Sequence, residues 1–225
     1  MKYLIIIALA LNVSLAQSFQ DIQSKAEQGQ SDSQFQLGMA YLTGETIQQD
    51  YAKAIQWFTR AAQQGHADAQ YRLGIAYAYG VSIPQDYTQA IQWFTQAAEQ
   101  GHADAQYSLG KLYYDGDEIT QNYATAIHWL SLAAEQNHAE AQLLLSDAYI
   151  NGYGVEQNDS VALQWLTSAA NNGDVDAQLQ LGNVYASGEG AQQDLSQAML
   201  WFTRAAEQGS ADAQLRLEEF KQRTP

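Results

Sequence analysis

All five tryptophans in this chain are spaced 36 residues apart: Trp57, Trp93, Trp129, Trp165 and Trp201. Glycines at 44, 80, 116, 152 and 188 keep the same step, and so do Ala-Ala pairs beginning at 61, 97, 133, 169 and 205. A period in this range specifies a repeat array, in which each unit buries its apolar face only by stacking on its neighbours. The unit is clearest over residues 67–102, ADAQYRLGIAYAYGVSIPQDYTQAIQWFTQAAEQGH.

Each unit reads as two helices. Ala69, Leu73, Ala76 and Tyr77 recur at helical spacing and predict helix A over 67–79. His66 stands at its N-cap, where later copies carry Asp174 and Ser210. Asp68 lies in the first turn, facing the positive end of the helix dipole. Gly80 ends the helix in the left-handed conformation that glycine adopts freely. Helix B is expected over 87–100. Asp50, Asp86, Asn122, Asn158 and Asp194 share its N-cap position, and Gln89 and Gln197 add a capping-box residue in two copies. Tyr87, Ala90, Ile91, Phe94 and Ala98 form an apolar stripe, widened by Trp93 and Ala97. An arc this broad is buried on two sides, as an interior helix of a stack must be. Gly38, Gly74, Gly110, Ser146 and Gly182 fall in mid-helix A, where glycine costs about 1 kcal/mol against alanine; close approach of helix B compensates. Glutamines 34, 70, 106, 142, 178 and 214 are expected to bridge neighbouring units.

The ends differ from the units. Residues 18–29 match a lone helix B with Asp21 in the tryptophan place. Residues 211–223 match a lone helix A, with Glu218 where other units keep a small residue. Both have the wet outer face that terminal caps of an array need. Before them, Lys2, the apolar stretch 3–15 and the small residues of Ser14-Leu15-Ala16 predict a secretory leader cut after Ala16. The stretch is too short to be a membrane anchor, for which a helix needs about 20 apolar residues. The expected organisation is therefore leader 1–16, capping helix 17–30, repeats 31–66, 67–102, 103–138, 139–174 and 175–210, and capping helix 211–225, in a periplasmic or secreted protein.

Charge narrows the partners. The net charge is −15, from 25 acidic and 10 basic residues. It repels phosphate backbones and anionic lipid, which argues against nucleic acid and against membrane insertion once the leader is cut, and favours a cationic partner. The chain has no cysteine, hence no disulfide and no thiolate chemistry.

The motif A-x-A-x-x-x-L-G-x-x-Y in helix A and A-x-x-W-[FL]-x-x-A-A-x-x-G in helix B resembles the Sel-1-like repeat, a relative of the tetratricopeptide repeat. Residues 105–116 and 126–137 show both, with Asn137 in place of the last glycine. The resemblance covers nearly the whole chain after the leader. It implies an all-α fold: a right-handed α-α superhelical solenoid of about five helix pairs with half-repeat caps. It implies an adaptor that assembles protein partners. As an alternative, cysteine-rich secreted relatives imply action on β-lactams or cell-wall fragments; their repeats carry a disulfide pair each.

The copies differ most on one face of helix A, the face defined by positions 68, 72, 75 and 79. By analogy with related arrays this face lines a concave groove. Its candidate partner-binding residues are Arg72, Ile75 and Tyr79; Ser108, Lys111 and Asp115; Leu144, Asp147 and Asn151; Gln180 and Asn183. Tyr79, Ile75 and Leu144 are the expected anchors. The acids opening each helix A (Asp32, Asp68, Asp104, Glu140, Asp176) suit a protein or peptide bearing Lys or Arg, although the helix dipole alone accounts for them.

Other constellations carry less. His66, His102 and His138 recur at the repeat step, too far apart to share one ion, so they are read as caps. Asp115, Asp117 and Glu118 lack calcium-loop spacing. The tryptophans are read as core rather than as stacking platforms, and His128 as exposed. No nucleophile elbow, phosphate loop or zinc motif is present, and no cofactor or metal is expected.

Overall fold

A computed structural model describes residues 18–223, with side chains through Phe220. The expected leader lies outside the described residues. Twelve helices and no strand occur among them. Helix α1 spans 18–27. The A helices are α2 (Ser31–Thr43), α4 (Ala67–Tyr79), α6 (Ala103–Asp115), α8 (Ala139–Asn151), α10 (Val175–Ser187) and α12 (Ala211–Arg223). The B helices are α3 (Tyr51–Gln63), α5 (Tyr87–Glu99), α7 (Tyr123–Glu135), α9 (Asp159–Asn171) and α11 (Leu195–Glu207). The chain falls into two compact units, dividing between Ala105 and Gln106. Each is a run of antiparallel helix pairs, so the fold class is an all-α helical solenoid.

The caps explain why every helix has its length. The side chains of Asp50, Asp86, Asn122, Asn158 and Asp194 each accept a bond from the amide three residues on, at 3.0–3.1 Å. The cap residue's own amide donates to the carbonyl of a tyrosine in the last turn of helix A: Asp50 to Tyr41, Asp86 to Tyr77 and Asp194 to Tyr185, all at 2.9 Å. This corrects the capping-box expectation. Gln89 and Gln197 have no free amide to reach back to, because the tyrosine carbonyl already holds it. At the helix-A cap, His66, His102 and His138 accept the amide three residues on through Nδ1 at 3.3–3.4 Å, and Asp174 does so at 2.7 Å. Gln30 makes no such side-chain bond. Gly80 sits at φ +69 and its amide bonds to Ala76. Asn137 takes the place of the other copies' glycine at φ +65, a conformation asparagine tolerates better than other side chains.

The mid-helix glycines are explained by contact. A methyl group on Gly38 would sit 2.6 Å from Phe58 Cδ1, and one on Gly182 2.6 Å from Phe202 Cδ1. Phe94 approaches Gly74 still more closely, and Leu130 presses on Gly110. The residue after each tryptophan therefore drives into helix A and is fully buried; Phe58, Leu130 and Phe202 expose 2% or less.

The tryptophans have a different role from the one expected of core residues. Only Trp201 is buried, at 5%, while Trp57, Trp93, Trp129 and Trp165 are half-buried. Trp93 packs against the buried cluster built from α3 and the start of α4, and Trp201 belongs to the cluster it shares with α9 and α10. Trp93 and Trp165 thus cover the core formed by the preceding B helix and the A helix of their own pair while staying partly exposed.

The glutamines also stitch the pairs together. Gln70 Nε2 donates to Ala62 O at the end of α3 (3.1 Å), while Gln100 at the end of α5 donates to Gln70 Oε1 (2.6 Å). Gln142 and Gln178 repeat the pattern, with Asn172 and Gln208 as partners. These amides are nearly fully buried, which is tolerable only because both ends are bonded. Gln214, in a helix with no B helix after it, is exposed.

Candidate functional site

With apolar positions turned towards helix B and the glutamines turned towards the preceding pair, the remaining face of each A helix is its outward one. In the first unit that face carries Asp32, Gln36, Met39 and Thr43 of α2 and Asp68, Arg72, Ile75 and Tyr79 of α4. Tyr79 is 76% exposed, the most of any large apolar or aromatic side chain among the described residues. Ile75 and Arg72 are half-buried, and Met39 packs back onto the core of α3 and α4.

In the second unit the equivalent positions have a different character. Ser108 is half-buried, and Lys111 pairs with Asp115 at 2.7 Å. Leu144 is half-buried against the α6–α8 core, so it offers a partner less than Tyr79 does. Asp147 accepts a short hydrogen bond from Tyr114 Oη and another from Asn151 Nδ2 at 2.8 Å. Burial, and then the carboxylate of Asp147, push the Tyr114 phenol well above its ordinary pKa, so it remains a proton donor throughout the physiological range. Gln180 is exposed. Asn183 is half-buried and lines a hollow of about 400 Å³ with Leu179, Leu215 and Arg216, beside α12, the last described helix.

Two features were not visible as sequence signals. Tyr114 also belongs to an aromatic cluster: Tyr123 and Tyr153 stack at 4.9 Å and 5°, with Tyr114 edge-on to Tyr123 at 5.3 Å. Tyr114 and Tyr153 have no tyrosine counterpart at the repeat step, so periodicity could not reveal the cluster. The second is pairing between the opening acids and the cap histidines. His66 Nε2 lies 3.6 Å from Asp32, and His102 Nε2 lies 3.3 Å from Asp68, with each imidazole packed on Phe35 or Tyr71. The acids thus serve a repeat junction as well as the helix dipole.

No group of three or more His, Asp or Glu able to hold a metal ion occurs among the described residues. Nor is any described helix long and apolar enough to cross a membrane.

The Sel1 repeat family model matches residues 31–66, 67–102, 103–138, 139–174 and 175–210. No curated protein matches the chain with significance. Among solved structures, a Sel1 repeat protein from Oxalobacter formigenes is 32% identical with a TM-score of 0.77, covering 82% of this chain and 76% of that one. A protective antigen of uropathogenic Escherichia coli strains, displaying an SLR fold, is 35% identical with a TM-score of 0.58; the match covers 88% of this chain and 50% of the antigen. A Sel1 repeat structure from Klebsiella pneumoniae, 23% identical with a TM-score of 0.54, covers 90% of this chain and 99% of that one, and bears on the fold alone.

Proposed function

The chain belongs to the Sel1 repeat family, and on that premise we propose that it is an exported adaptor holding a protein or peptide partner against the outward face of its A helices. Sel1 repeats are generally protein–protein interaction modules, and their proteins are mostly non-enzymatic scaffolds. The observation that carries the reading is the contrast between a core that barely changes from copy to copy and the A-helix positions equivalent to 72, 75 and 79, which differ between copies and are buried in none of them. A face kept only for solubility needs charge, not an isoleucine and a tyrosine on one line of α4. Export rests on residues 1–16, and a cationic partner on the net charge of −15.

The test is site-specific crosslinking in the native host. A photoreactive residue at Tyr79 is expected to trap a discrete protein adduct from the exported fraction. The same residue at Gln92, exposed on α5, is expected to trap none. Equal trapping at both, or adducts only at Gln92, would overturn the assignment of the face. Recovery of the chain in the cytoplasm with Met1 intact would overturn export.

A further inference from the structure

Cations are scarce in this chain, and nearly every one whose side chain is described is engaged. Lys25 pairs with Asp21, Lys53 with Asp50, Lys111 with Asp115 and Arg216 with Glu219. Arg60 and Arg204 lie over the rings of Trp57 and Trp201 at 4.4 and 4.5 Å. Among the lysines and arginines whose side chains are described, Arg72 alone has neither a carboxylate nor a ring as partner. It is half-buried in the middle of the α4 face. Asp68, one turn before it, faces His102 and His66 instead. A partly desolvated guanidinium with no counter-ion, in a molecule with 25 acidic residues, has its pairing capacity unspent.

The rest of the face fixes what would pair with it. Asp68, Arg72, Ile75 and Tyr79 follow one another at steps of four, three and four residues, so at about 1.5 Å per residue they rise by about 6, 4.5 and 6 Å along α4. An extended strand presents alternate side chains on one side at about 6.6 Å intervals. A cation opposite Asp68 thus places the second residue along opposite Arg72, and the fourth between Ile75 and Tyr79. We propose that the α4 face receives an extended segment of the partner protein in the pattern basic–x–acidic–x–apolar, with the acidic side chain paired to Arg72. This rests on the adaptor reading above and sharpens its partner. A uniformly basic segment would set a cation against Arg72, and a polyacidic one would be repelled by the net charge of −15.

The test is fluorescence anisotropy of the labelled peptide Ser-Lys-Ser-Glu-Ser-Leu-Ser with the full chain at low salt. Replacing its Glu with Gln is expected to weaken binding about tenfold, the scale of one charge-assisted pair. Arg72→Glu is expected to weaken the original peptide at least as much and to bind a peptide with Arg in place of Glu. Lys25→Gln, which removes an engaged cation on α1, is expected to change nothing. Circular dichroism confirms that each variant is folded. Indifference to the acidic position, with binding still lost in Tyr79→Ala, overturns the inference and leaves the adaptor reading standing. Indifference to both Arg72→Glu and Tyr79→Ala overturns the two together. If no peptide binds, the inference falls, and crosslinking at Tyr79 decides the adaptor reading alone.

Discussion

One position in helix A decides how closely the two helices of a pair approach, and the copies fill it in two ways. At Gly74 the ring of Phe94 occupies the space a methyl would need. Gly74→Ala gains about 1 kcal/mol of helix propensity but forces overpacking of about 1–3 kcal/mol, so a net loss of about 1 kcal/mol is expected in urea unfolding. At Ser146 the repeat-equivalent helix-B residue is Leu166, and the serine hydroxyl is buried without a hydrogen-bond partner. Ser146→Ala keeps the Cβ and removes that orphan group, so it is expected to stabilise by about 1 kcal/mol in the same measurement. The opposite signs are what matters. A destabilising Ser146→Ala would mean that the hydroxyl has a partner in solution and that helix spacing is set elsewhere. Periodicity alone was enough to expect tight packing here, because a glycine recurring in mid-helix needs compensation. It could not tell which side chain filled the gap, and Phe58 and Phe94 rather than the neighbouring indoles do so, since one residue's step turns a helix by about 100°.

Each helix is delimited at both ends by a few polar groups, and these were the most legible part of the sequence. Helix A over 67–79 matches α4 at both ends, and helix B over 87–100 overruns α5 by one residue, Gln100 being its C-cap. Removing such a cap has a known scale: Asp86→Ala, which orphans the Gln89 amide, is expected to cost about 1 kcal/mol in urea unfolding. The cap of α10 makes a more specific prediction. Asp174 replaces the histidine of earlier copies and is half-buried, and desolvation raises its carboxyl pKa above the ordinary 3.8 despite the amide bond from Ala177. The folded state therefore holds this proton more tightly than the unfolded chain does. Its stabilising contribution is full below pH 3.8 and is lost as pH rises through the folded value. Asp174→Ser, with the cap type already found at Ser210, removes that dependence. Relative to wild type, the variant is expected to gain stability between pH 3.5 and 7, measured as the difference in urea midpoints at each pH. A constant difference would show that burial does not perturb the group. Sequence logic placed Asp174 at the cap correctly. It could not give the shift, which depends on how much of α9 and its neighbours shields the carboxylate.

At the scale of the whole molecule, what recurs was readable and what happens once was not. The Tyr114–Asp147 bond and the stacked Tyr123–Tyr153 pair have no echo at the repeat step, so no copy could announce them. The same holds for α12, which packs on α11 and is followed by no further described helix. Phe202, Ala205 and Ala213 are fully buried there, and Phe220 lies 5.9 Å from Phe202. Deleting residues 211–225 strips that cover and leaves the apolar stripe of α11 in water. Because each repeat of such an array is held mainly by its neighbours, the loss should be local. Hydrogen exchange of the truncated chain is expected to show protection collapsing in α10 and α11, weakening in α9, and unchanged in α2–α4. If protection fell equally in every helix, the chain would unfold as one cooperative block and the nearest-neighbour account would be wrong. The α4 face is where partner binding is proposed, and on this account it owes its order to α3 and α5 rather than to the far end of the chain. The same truncation should therefore leave peptide binding at Arg72 and Tyr79 intact, even as the last repeat frays.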